Sequence, residues 1–486
     1  MGGARGSTIV LTTRSIKVAE ITGTTSLYDL RGLPEEKAWP LFVKMAFKNG
    51  KALENKALVA LGKQIVGKCN GVPLAIRTIG SLLYGKTSEI EWQSFLENEL
   101  SKLAQQENKI LSTPKLSYDR LPSHLKQCFA YCRLFPKDHR INVDKLIKLW
   151  AAQGFIKLID QRQRVDDVGR EYFMRLLWRL FFQDVEKDDL GNIKSCKMHD
   201  LMHELAILVA GTESTILNSS WENVIENVRH VSFGPKDLLI HLSMPKCNGW
   251  KIRTILASGV GGNLDSLTCD ALVSNLKYLR TLDLSKVGLR VVMHSIGELK
   301  HLRYLNLYEN SSIEILPNSI TDLLNLLTLK LNRCLELGEL PRDIQKLVSL
   351  KHLDITDCSK LTHISFGLRH LTSLETLMFV ASKEGFKARP KGGLSELKNI
   401  RNLGGSLTIT NLRHGEDDKV VLECKGAKMA EKQHLQRLEF LWDPKWTEEI
   451  ECYDEVFGSI GVVWLYGYMG ENIPSWVSSL TNLVDL

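Results

Sequence analysis

The chain has 486 residues, enough for roughly two to four domains. Its 44% apolar and 24% charged content is that of ordinary globular protein and excludes a fibrous or fully disordered chain. A net charge of +7, spread along the sequence, gives neither a basic nucleic-acid arm nor an acidic tail. Residues 1–7 contain no apolar signal core, and no apolar run approaches the roughly 20 residues of a membrane span. The ten cysteines are scattered without zinc-type pairs, and Cys128 and Cys132 lie in an apolar run, as buried free thiols do. A reduced intracellular protein is expected.

In chain order, Thr8 to Thr12 is a β-branched run that reads as a buried strand ending at Thr12-Thr13-Arg14. An arginine at the carboxyl end of an α/β strand faces the crevice where such sheets bind ligands. Leu33-Pro34-Glu35-Glu36 opens a helix, with Trp39, Leu41, Phe42, Met45 and Phe47 as its apolar face. Pro40 lies inside it, which predicts a kink or a late start. Gly71-Val72-Pro73-Leu74-Ala75 opens a second apolar helix through Ile76, Ile79, Leu82 and Leu83. Its end carries Gly80-Ser81-Leu82-Leu83-Tyr84-Gly85-Lys86-Thr87, which satisfies G-x-x-x-x-G-K-[ST] letter for letter. A phosphate loop needs a strand before it and a helix after it, whereas here a helix runs into the motif. The match is read as a helix end capped by Gly85, not as a nucleotide site.

Further on, Leu121 to Lys126 leads into a helix with Cys128, Phe129, Tyr131 and Leu134, ended by Phe135-Pro136. Val143 to Ala152 is predicted as another, capped by Gly154. Its Leu146, Ile147, Leu149 and Trp150 have the spacing of a buried face, and Lys145 and Lys148 are too few for a phosphate track, so domain packing rather than DNA reading is expected. Lys197-Met198-His199-Asp200-Leu201 is predicted to start a helix through Ala210. His199 and His203 mimic a zincin pair, but Asp200 replaces the longer acid and no third ligand follows; a structural or nucleotide-facing His199 is the better reading.

From about residue 276 a leucine repeat is plain. Leu279, Leu302, Leu326, Leu350 and Leu374 recur at steps of 23, 24, 24 and 24. Each unit supplies a short strand whose alternate residues point inward, and no unit can bury its leucines alone. Cys334 and Cys358 occupy the Asn/Cys position after the strand, where a small polar group serves the bend. Degenerate units are expected at 228–231, 252–256, 407–409, 435–442 and 463–466, and Leu480 to Leu486 opens one more.

These blocks, in this order, resemble the plant NB-ARC/leucine-rich-repeat immune receptors of the coiled-coil subgroup. Gly6 to Arg14 resembles the sensor strand, Leu33 to Phe47 the Leu-x-x-x-x-Ala-Trp-x-Leu-Phe element, and Gly71 to Ala75 the Gly-Leu-Pro-Leu-Ala motif. Leu125 to Ile156 resembles the winged-helix signature, and Met198-His199-Asp200 matches the Met-His-Asp motif without change. The resemblance implies a multidomain α/β chain: the end of a P-loop α/β domain over 1–27, a helical domain over 28–108, a winged-helix domain over 109–212, and a leucine-rich-repeat solenoid over 213–486. It also implies that Arg14, Pro73 and His199 bind ADP or ATP, with Thr13, Leu74 and Asp200 associated with the switch. The phosphate-binding loop and acidic magnesium strand would precede residue 1, and the expectation is truncation at both ends, weak nucleotide binding and negligible hydrolysis. The implied role is innate immunity rather than catalysis. The repeats would bind a pathogen effector or a guarded host protein, the NB-ARC parts would contact one another, and activation would bring oligomerisation. No DNA and no membrane span are expected, and the implied location is cytoplasmic, with nuclear or membrane-peripheral pools. The alternative is a nucleotide-free repeat module acting as a binder or decoy.

Overall fold

The computed structural model describes residues 10–13, 16–21, 28–47, 55–100, 109–160, 163–188, 191–217, 227–233, 251–257, 259, 270, 273–361, 367–378, 394–412, 426–428, 431–432, 434–442 and 462–466. The chain divides into two compact units, Met1–Asp119 and Arg120–Leu486.

The first unit is helical: α1 Ile16–Ile21, α2 Glu35–Ala46, α3 Lys56–Lys68, α4 Pro73–Leu83, α5 Glu89–Ser94 running into a π turn Phe95–Glu99, and α6 Lys109–Asp119. The Asn55 side chain starts α3 by accepting from the Ala57 and Leu58 amides. Such a cap contributes about 1 kcal/mol. The core gathers Phe42, Phe47 and Trp92 with Ile65, Ile76, Ile79 and Leu83. Helix α2 starts at Glu35 and runs through Pro40, so the late start is not found. The Pro40 ring lies on the exposed side, where the Glu36 carbonyl that receives no helical bond can meet water. Residues 10–13 form no strand: Val10 is 84% and Leu11 52% exposed. A strand needs a ladder partner for its backbone, and none pairs with this segment among the described residues.

The second unit begins with α7 Ser123–Tyr131, β1 Ile141–Asn142, α8 Val143–Gln153, α9 Val165–Trp178, the hairpin β2 Phe182–Lys187 and β3 Ile193–Met198, and α10 Asp200–Ala210. The small antiparallel sheet has the order β1-β3-β2. The Asn142 side chain caps α8 by accepting from the Lys145 amide at 2.8 Å, and Gly154 ends it at φ 79°. Leu146, Ile147, Leu149 and Trp150 are all buried. Lys197 and Met198 complete β3 instead of opening a helix, and the helix starts at Asp200. Pairing of Met198 with Phe182 and of Lys197 with Gln183 holds them extended.

Eight parallel strands follow in one sheet: β4 Ser214–Leu217, β5 His230–Phe233, β6 Thr254–Leu256, β7 Thr281–Asp283, β8 Tyr304–Asn306, β9 Thr328–Lys330, β10 His352–Asp354 and β11 Thr376–Met378. A second parallel sheet holds β12 Gly404–Leu412, β13 His434–Trp442 and β14 Val462–Tyr466. The degenerate units therefore carry strands, and β4 precedes them all. The leucines form one continuous core from Leu217 to Leu438. At the bend, Asn310 donates to the Leu284 carbonyl at 2.8 Å, while the Cys334 and Cys358 thiols reach the Leu307 and Leu331 carbonyls at 3.4 and 3.2 Å. The three residues do one job, each satisfying a carbonyl of the preceding coil. Leu480 to Leu486 lies outside the described residues.

Candidate functional site

Two constellations carry the chemistry of the second unit. The first surrounds His199, which leaves β3 and caps α10. Its Nδ1 accepts from the Leu201 amide at 3.2 Å, which places the ring proton on Nε2. His199 is half-buried and its side chain makes no other hydrogen bond among the described residues, so Nε2–H is a donor available to an anion. The neighbouring Asp200 pairs with Lys137 at 2.7 Å, and His203 Nε2 lies 3.1 Å from the Phe135 carbonyl. The Phe135–Lys137 turn thus holds the start of α10 at two points. His203 is committed to that turn, and no metal-holding group of three ligands occurs among the described residues.

The other expected nucleotide residues are placed as follows. Pro73 and Leu74 open α4 in the first unit, Pro73 exposed and Leu74 half-buried. Gly71, at φ 68°, turns the chain into that helix beside Leu33, whose amide donates to the Gly71 carbonyl at 2.7 Å. Thr13 is exposed, and Arg14 lies outside the described residues. An exposed pyrrolidine ring suits the flat face of a base, and an imidazole N–H suits a phosphate oxygen. The phosphate-loop look-alike has the expected form: Gly80 is buried in α4 against Met45, Gly85 follows the helix at φ 76°, and Lys86 pairs with Glu91 at 3.2 Å.

The second constellation was not legible in advance. On each repeat strand the leucines face the core, and the residues between them face the inner surface of the solenoid. Those inner residues are polar yet buried: Thr254, Thr281 and Asp283 are 0% exposed. Helix α8 covers them. Gln153 Nε2 donates to both Thr254 Oγ1 and Thr281 Oγ1 at 2.9 Å, and Tyr131 shares a hydrogen bond with Thr254 at 3.2 Å. Lys145 Nζ lies 2.7 Å from Asp283 Oδ2, while Asp283 Oδ1 accepts from Ser285 and Asn306. Burial, the largest single influence, would raise the Asp283 carboxyl, but Lys145 and the Ser285 hydrogen bonds together outweigh it and hold the group below the usual carboxylate range. Arg280 donates to the Gln153 carbonyl at 2.7 Å, and Ser232 to the Leu134 carbonyl at 2.8 Å.

Helix α9 and the residue before it extend the seam. Asp166 stands 3.4 Å from His352 Nε2, and Arg164 pairs with Glu375 at 3.6 Å. His230 and His352 are buried in the seam, and burial above all holds both neutral, with pKa values lowered to about 3. Arg253, Arg229 and Arg280 add to the effect at His230; Lys148, Lys351 and Arg164 add to it at His352, against Asp166. Cys128 and Cys132 are buried free thiols, pushed well above the usual range by burial. No helix among the described residues is long and apolar enough to cross a membrane.

Residues 134–206 match the disease resistance protein winged-helix domain, and residues 262–486 match a leucine-rich repeat region. The whole chain aligns with the putative disease resistance protein RGA1 of Solanum bulbocastanum at 38% identity, over 46% of that protein. It aligns with disease resistance protein RGA2 of the same species at 35% over 47% of its length. It also matches putative disease resistance RPP13-like protein 1 of Arabidopsis thaliana at 35%, over 98% of this chain and 46% of the relative. The chain thus spans about half the length of the curated relatives it matches. With its winged-helix domain, its repeats and this likeness along the whole sequence, the chain belongs to the plant disease resistance proteins of the nucleotide-binding, leucine-rich-repeat family.

Proposed function

We propose that the chain serves plant disease resistance as a non-enzymatic cytoplasmic receptor component whose winged-helix region holds the inner face of its own repeats until a partner protein displaces it. The observation that supports this reading is the Lys145–Asp283 and Gln153–Thr254/Thr281 seam, which occupies polar inner positions of the solenoid. Such positions line the concave face that repeat proteins use for binding. A pathogen effector or a guarded host protein is the proposed partner, and oligomerisation the proposed consequence of release. A ligand with differential affinity for the two arrangements would shift the population between them.

ADP and ATP are the proposed effectors. His199 would hold a phosphate through Nε2–H; by the family resemblance Arg14 and Pro73 are further nucleotide residues, and Thr13 and Leu74 are associated with the switch. Asp200, tied to Lys137, would keep the start of α10 in register with the Phe135–Lys137 turn. The bound nucleotide supplies a negative charge whose size differs between its two forms; everything else in the switch is packing. The test is to denature the purified chain and quantify the nucleotide released. Stoichiometric ADP, lost on His199→Ala while the fold is kept, is the expected result. Absence of nucleotide from the unmodified chain would instead favour a nucleotide-free binding or decoy module.

A further inference from the structure

The residue preceding each inner strand forms a row across the sheet. Consecutive backbone bonds define it: the Arg229 amide donates to the Glu213 carbonyl, Arg253 to Arg229, Arg280 to Arg253, Arg303 to Arg280, Leu327 to Arg303, Lys351 to Leu327, and Glu375 to Lys351. Four arginines are therefore successive neighbours at the strand-to-strand spacing of about 4.8 Å, a row about 14 Å long. All four are half-buried.

Like charges at this spacing repel, and the row offers little internal compensation. Acids stand only at its ends. Glu213 is exposed and makes no ion pair among the described residues, and Glu375 is taken by Lys351 and Arg164. Asp283, on the strand that follows Arg280, is taken by Lys145. No carboxylate pairs with any of the four arginines among the described residues. Arg280 alone has an acceptor there, the Gln153 carbonyl at the end of α8, and Arg303 Nη1 lies beside Gly154 in the same turn. The field of Arg229, Arg253 and Arg280 converges on buried His230, which carries no compensating charge.

We propose that this arginine row, beside the carboxyl end of α8, is a binding site for a small anion bearing several phosphate groups. Guanidinium forks match phosphate oxygens two by two, and a row of them selects an elongated multiply charged ligand over a single ion. The site is distinct from the His199 constellation. Because Arg280 and Gln153 belong to the seam between α8 and the repeats, an anion here also strengthens that seam.

The probe is inorganic tripolyphosphate, titrated into the full chain by calorimetry and by thermal unfolding, with sulfate at matched ionic strength as the comparison. Tripolyphosphate should bind more tightly than sulfate and raise the melting temperature. Arg253→Gln and Arg303→Gln should each weaken it about tenfold, and Arg253→Lys less, since the charge stays and the fork goes. Without ligand, Arg253→Gln should melt no lower than the parent chain, because repulsion is relieved; this separates a lost site from a damaged fold. Lys277→Gln, on an exposed residue outside the row, should change nothing. Equal binding by parent and arginine variants, or no preference over sulfate, overturns the proposal. Loss of binding in His199→Ala instead would move the anion to the other constellation and also overturn it. Binding of an oligoglutamate peptide without binding of tripolyphosphate would overturn the phosphate assignment in favour of an acidic protein segment.

Discussion

Gly169 shows how little room a single residue leaves in the winged-helix core. A methyl at this position of α9 would lie 2.4 Å from Ile147 Cγ2 and 2.9 Å from Ile156 Cδ1. Ile147 is on α8, the helix that meets the repeats, so α9 sets the height of α8 through this contact. Gly169→Ala should therefore cost about 1–3 kcal/mol by overpacking, despite the better helix propensity of alanine. Urea unfolding measures it, and an unchanged midpoint would mean that α8 can shift freely. At the same scale, His199 and His203 show why identical residue types four apart differ in use. One keeps a ring N–H available, and the other is consumed by the Phe135 carbonyl.

Elements were legible where the signal is local. Helix α8 announces itself by a buried stripe and by Gly154 after it, and the structure has both, with Asn142 capping its start. The repeat strands were legible for a different reason: the same leucines return at the same step, and Cys334 and Cys358 take the place of Asn310 at the bend. The hairpin β2–β3 was missed because Phe182 to Lys187 has no apolar alternation; only Phe182 is fully buried there. Helix α9 went unremarked although Asp166 and Asp167 in its first turn and Arg175 in its last follow the helix dipole. The seam could not be read at all from one sequence. Lys145 looks like any solvated helix lysine, and Asp283 like any polar residue between repeat leucines. Their pairing is a tertiary fact about residues 138 positions apart. The available hint was the threonine preceding the core aliphatic residue in three of the strands, at Thr254, Thr281 and Thr328.

Across the molecule, the seam makes stability depend on pH in a defined direction. His230 and His352 are buried neutral, with folded values near 3 against about 6.5 when unfolded. A lowered folded value means that their contribution is complete above about 6.5 and is lost as pH falls from there toward 3. At pH 5 each histidine should subtract about 2 kcal/mol from the unit that contains the seam. The drop in the urea midpoint between pH 7 and pH 5 should shrink in the chain carrying both His230→Asn and His352→Gln. An equal drop in that variant and the parent would show that the two rings are not the acid-sensitive groups.

The central claim is that α8 closes the inner face of the repeats, and the Lys145–Asp283 pair tests it most directly. Hydrogen exchange of the α8 amides gives the opening free energy of the seam for the parent chain, Lys145→Met, Asp283→Asn and the double variant. Each single change leaves a partner stranded, Asp283 in a fully buried position. The cycle should return a coupling of about 2 kcal/mol or more, with the double variant opening far less easily than the two single effects would add up to. Additive effects, with a coupling near zero, would contradict a closed seam.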